Sequence, residues 1–156
     1  MKRKKMFQDK LIFGALSGVA ANVIMKIPQY ILWKLKMIRH PLSHYAASLF
    51  STSEAVHSLR LGTLIGIIAC TVYCAFLGIV FVYLLHYTGK RFFLAKGLIY
   101  GAFLWVFSYG GLCSSSLVKL SQLPKLPEEI ILFLLLHLVF GIALGGFAQK
   151  FDKRLE

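Results

Sequence analysis

The chain has 156 residues, 58% of them hydrophobic, with 18 Lys and Arg against 6 Asp and Glu and a formal net charge of +12. A mean hydropathy of +0.71, concentrated in long runs, excludes an ordinary soluble domain and points to a single membrane domain over residues 1–156. The basic surplus lies between the runs and at the ends, where it reports contact with membrane lipids and sets topology, so no nucleic-acid partner is expected.

The chain opens on MKRKKMFQDK, a basic segment ahead of an apolar run, as in a signal peptide. The run is longer than a signal h-region and lacks a small-residue cleavage site before Lys26, so it reads as a mature helix. Four spans are expected at approximately 11–34, 61–87, 92–113 and 130–149, each beyond the roughly 18 apolar residues that argue for a crossing. The runs are too long for barrel strands and lack sustained alternation. The expected fold is therefore all-α: a polytopic membrane protein with a four-transmembrane-helix bundle.

Counting Lys and Arg on alternate sides gives eleven at the N-tail, second loop and C-tail, against six in the first and third loops. The positive-inside bias places both termini in the cytoplasm. The first loop, Lys34 to Arg60, is too long for a minimal turn. Its part from Leu42 to His57 carries Leu42, Tyr45, Ala46, Leu49 and Phe50 at spacings that suit one face of an interfacial helix, with His40-Pro41 as its start.

After the second span, Tyr87 to Arg91 forms a short turn, so spans two and three are expected to be antiparallel neighbours. The third span loses helical character near Gly110-Gly111. Pro124 and Pro127 interrupt the next loop, and Pro127 with Glu128 and Glu129 has the pattern of a helix start, with acids near the positive end of the dipole.

Each span holds two glycines four residues apart: Gly14 and Gly18, Gly62 and Gly66, Gly97 and Gly101, Gly141 and Gly145. That spacing puts both on one face and lets another backbone approach, the main source of helix association in lipid. In this topology most pairs fall in the cytoplasmic half, while the polar residues of the spans fall mostly in the outer half. Asn22, Lys26, Gln29, Ser108 and His137 are the candidate ligand-binding residues. Asn22 and Lys26 share a face, and Pro28 frees the carbonyl of Ile24 beside them. Lys26 either lifts its ammonium to the outer headgroups or faces a polar cavity open to the outside.

His40 and His44 are four apart, and Glu54 and His57 form an E-x-x-H spacing, so a helical first loop could offer metal ligands there. His86 and His137 fall at opposite membrane levels and cannot share a haem. Cys70, Cys74 and Cys113 read as small packing residues without C-x-x-C spacing. No phosphate loop, dinucleotide fingerprint, serine elbow or H-E-x-x-H occurs, and no cofactor is expected.

Gly14, Gly18, Asn22 and Lys26, with the basic N-tail and four helices, resemble small uncharacterised bacterial four-span inner-membrane proteins. The resemblance implies a bacterial cytoplasmic membrane and transfers no catalytic residue. The expected role is a noncatalytic accessory, assembly or interaction subunit, working as a homo-oligomer or with a membrane protein partner. The alternatives are a component of a small transporter or channel with an outward-facing polar site, and a lipid-acting or metal-dependent membrane enzyme.

Overall fold

A computed structural model describes residues 9–50, 60–89, 91–112 and 126–151, and among them the regular structure is all helical. The elements are α1 (Lys10–Lys34), α2 (Leu42–Ser48), α3 (Arg60–Thr88), α4 (Phe93–Leu104) and α5 (Pro127–Phe151); α4 continues as a π-helix over Trp105–Leu112. Four helices are long and apolar enough to cross a membrane: α1, α3, α4 with its extension, and α5. This is an all-α, multi-pass membrane protein.

The ends of α1 show how local chemistry sets an element. Asp9 caps its start, the carboxylate accepting from the backbone N–H groups of Leu11 at 2.9 Å and Ile12 at 3.2 Å. At the other end Lys36 takes the left-handed conformation, φ 58°. The N–H of Met37 then reaches back to the Leu32 carbonyl, and that of Lys36 to the Trp33 carbonyl, each at 3.0 Å. These two bonds form a Schellman stop, and they turn the chain so that Ile38 is buried.

Two helix pairs are closed by glycine against backbone. On α1, a Cβ added at Gly14 would stand 2.6 Å from Ile79 Cα, and one at Gly18 would collide with the Cys74 carbonyl; Gly78 of α3 faces Gly14 and Gly18 in return. On α4, Gly97 lies against the backbone of Gly141 and Gly101 against that of His137, while a Cβ at Gly145 would stand 2.6 Å from the Phe93 carbonyl oxygen. Lipid supplies no hydrophobic drive between helices, so attraction must come from such close van der Waals contact. The spaced pair of the second span serves differently: Gly66 meets the Ser43 carbonyl of α2, and Gly62 is buried near the same end.

The α1/α3 and α4/α5 pairs join through α1 and α5. Phe13 meets Phe151 edge-on with centroids 5.8 Å apart near one end, and near the other the Arg39 N–H donates to Glu129 at 2.8 Å. By contrast α3 and α4, expected from the short turn to be antiparallel neighbours, make few contacts along their lengths. They run antiparallel, but α3 has given its glycine face to α1, and α4 has given its own to α5.

Three further expectations are refined. The α5 helix begins at Pro127, three residues ahead of the expected span. The first-loop helix covers Leu42–Ser48 within the described residues, burying Tyr45, Ala47 and Ser48, while Phe50 is exposed and 51–59 lie outside them. The third span continues through Gly110 and Gly111 by widening to a π-helix instead of ending there.

Gly18→Leu is expected to lower stability by about 1–3 kcal/mol or more, because the clash is with backbone that cannot swing away. Gly146→Ala, with open space around it, should change stability by less than about 0.5 kcal/mol. Thermal unfolding of both variants in mild detergent checks the contrast.

Candidate functional site

Because α3 and α4 splay apart, a cavity of about 760 Å³ lies between them. Most of its wall is α3 together with α2 and the turn after it, through Leu42, Tyr45, Ala46, Leu49 and Phe50; Leu104 of α4, Ser108 of the π-helix, Met25 of α1, and His137 and Phe140 of α5 complete it. The α3 and α4 sides are tied at few points. The Tyr73 and Ser108 hydroxyls are 2.8 Å apart, the Tyr100 hydroxyl donates to the Leu77 carbonyl at 2.8 Å, and the Phe81 and Tyr100 rings sit 5.2 Å apart. The lining is almost wholly apolar, with Tyr45, Tyr73, Ser108, His137 and the thiols of Cys70 and Cys74 as its polar exceptions.

The π-helix determines which residues of the third span reach this region. Each i→i+5 turn holds one residue more than an α-turn, which rotates the facing of every later residue in the span. Ser108 thereby reaches Tyr73, and Tyr109 is buried and stacked on Phe133 at 4.6 Å.

The five candidate ligand-binding residues do not converge on one site. Asn22 is only 1% exposed; its side-chain amide donates to the Thr71 hydroxyl at 3.4 Å, and its carbonyl oxygen accepts from the Cys70 thiol at 3.8 Å. It therefore bridges α1 to α3. Ser108 bridges α4 to α3. Lys26 is half-buried and, among the described residues, has no anionic partner. It stands eight residues, about 12 Å of helix rise, below Lys34, a depth from which a lysine can lift its ammonium toward headgroups. Gln29 is 4% exposed and its amide nitrogen has no hydrogen-bond partner among the described residues. His137 alone of the five combines deep burial in the span with a place on the cavity wall free of any inter-helix tie; its Nδ1 lies 2.7 Å from the Phe133 carbonyl oxygen.

Of the metal candidates, His40 and His44 have ring centroids 5.9 Å apart, and His44 also meets Trp33 edge-on. Glu54 and His57 lie outside the described residues, among which no group of three or more His, Cys, Asp and Glu could hold a metal ion.

Four residues that hold the site together escape sequence reasoning. Tyr73, Thr71 and Tyr100 sit in strongly apolar helices, where hydropathy gives no sign that a hydroxyl faces inward. Glu129 reads in the sequence as a helix-start acid that could also complete a site with His137, yet it is 2% exposed and accepts the backbone N–H of Arg39. A buried acceptor at that point satisfies a donor that lipid could not.

A family profile matches residues 8–156. The chain belongs to DUF6789, a family of unknown function. No curated protein and no solved structure matches it. For this DUF6789 chain, the functional reading therefore rests on its own geometry.

The Tyr73–Ser108 contact is a side-chain tie across the α3/α4 seam. A double-mutant cycle with Tyr73→Phe and Ser108→Ala, read by thermal or denaturant unfolding in detergent, should give a coupling of about 0.6 kcal/mol, and no more than about 1.7.

Proposed function

We propose that this DUF6789 member is a noncatalytic accessory or interaction subunit that acts inside the bilayer, as a homo-oligomer or with a membrane protein partner. One observation carries the reading: Asn22, Ser108 and Tyr100, polar groups within the spans, are engaged in holding helices to one another. Asn22 binds Thr71 and Cys70, Ser108 binds Tyr73, and Tyr100 binds the Leu77 carbonyl. Polar side chains used this way specify how helices associate.

The bacterial cytoplasmic membrane is the proposed location, with both termini inside. The charge count supports this orientation. So does the basic end of the bundle, where Lys10 Nζ lies 3.1 Å from His86 Nδ1 and Lys96 donates to the Thr88 and Gly89 carbonyls at 2.9 and 2.6 Å.

Photoreactive residues placed singly at the exposed positions Ile27, Ile68 and Phe103 and activated in native membranes test the role. A discrete protein adduct confined to one face is expected, with twice the chain mass identifying a homo-oligomer. Lipid adducts alone at every position would overturn the reading.

A transporter or channel component is a second reading, favoured by the half-buried Lys26 without an anionic partner among the described residues. In a variant with the native cysteines replaced and Lys26→Cys introduced, this reading expects modification by an impermeant thiol reagent from one side. Protection from both sides excludes it.

A further inference from the structure

We propose that the cleft between α3 and α4 binds a neutral lipid carrying a hydroxyl group, with the hydroxyl held at His137 and the hydrocarbon lying along the cleft and out into the bilayer. Such binding does not depend on whether the chain works with a protein partner.

The cleft has the size for it. An engineered apolar cavity of about 150 Å³ takes one benzene, about 25 Å³ per carbon, so 760 Å³ has room for on the order of 30 carbons. That suits the body of one long-chain lipid. Access is lateral. With α3 and α4 making few contacts among the described residues, around Tyr73–Ser108 and Tyr100, a chain can enter sideways from the bilayer without crossing water.

His137 supplies the chemistry. It is 6% exposed and lines the cavity, and its Nδ1 faces a carbonyl oxygen, which can only accept. Nδ1 therefore carries the proton, and in the neutral ring Nε2 is a bare acceptor. Nε2 has no hydrogen-bond partner among the described residues. His137 lies ten residues from the start of α5, about 15 Å of helix rise into the span, where water is scarce and an unpaired polar atom is costly. A ligand hydroxyl is the donor this position lacks.

Charge narrows the class. Among the described residues no Lys, Arg, Asp or Glu lines the cavity, so a carboxylate or phosphate head at His137 would meet no counter-charge in that lining. A neutral hydroxyl can instead pair with Nε2 while its chain meets Ile68, Leu77, Leu104 and Phe140.

The test uses purified full-length protein in nanodiscs and a long-chain alcohol bearing a mid-chain diazirine, with labelled peptides mapped by mass spectrometry. Saturable labelling of α3 and α4 is expected, competed by unlabelled long-chain alcohol several-fold to about tenfold better than by its methyl ether or the matching carboxylic acid, as loss of one hydrogen bond or entry of a charge requires. His137→Phe should remove the preference for alcohol over ether while hydrocarbon labelling persists, and Leu104→Trp should abolish saturable labelling by filling the cleft. Non-saturable labelling, or equal competition by alcohol and ether on the unmutated protein, would show ordinary bilayer contact and overturn the proposal. Stronger competition by the acid would overturn it as well. The ether comparison needs no variant, so the proposal stays falsifiable even if His137→Phe does not fold.

Discussion

The structure depends on glycine meeting backbone. In lipid, two helices gain little by touching through bulky side chains, because acyl chains solvate those side chains equally well. They gain where the backbones come close enough for many van der Waals contacts at once. Gly14, Gly18 and Gly78 bring α1 onto α3, and Gly97, Gly101, Gly141 and Gly145 bring α4 onto α5. On α3 a second such contact, at Gly66, goes to α2. Once α3 and α4 have committed these contacts, they have little left with which to close on each other, despite the short connection between them. The cleft results from how the tight faces are shared out.

Polar groups then act at the margins of these contacts. Asn22 reinforces the α1/α3 pair just beyond Gly18, and Tyr73 and Ser108 tie the splayed walls. Glu129 secures one join of the two pairs, at the end opposite Phe13 and Phe151, by accepting from the Arg39 backbone. Each bond satisfies a group that would otherwise be stranded in hydrocarbon, so each favours one arrangement over its alternatives. His137 differs because its one bond is to the carbonyl of its own helix. That bond orients the ring and fixes its tautomer without joining it to a neighbouring helix.

Much of the fold was legible because the bilayer imposes simple lengths and pairing rules. Four apolar runs, Pro127 with two acids, and the His40-Pro41 helix start are readable along one dimension, and the elements observed begin and end close to them. The candidate site was less legible. Asn22, Ser108 and His137 stood out as polar residues in apolar runs, but their partners Thr71 and Tyr73 did not, since a hydroxyl in a strongly apolar helix scarcely alters hydropathy. The π-helix was equally hidden: Gly110-Gly111 signals weak helix, and tertiary contacts such as Tyr109 on Phe133 decide whether that weakness ends the helix or widens it.

The sequence by itself determined that this chain is a helical, multi-pass membrane protein, because length and apolarity decide whether a segment crosses a bilayer, and because glycine spacing places a tight face on each span. Only the tertiary structure decided which faces met. Gly14 and Gly18 use Gly78, while Gly66 is taken by α2; the last two spans pair with each other. Those choices depend on contacts between residues far apart in the chain, which local pattern does not encode. The same choices leave α3 and α4 apart and put His137 at the side of an apolar cavity.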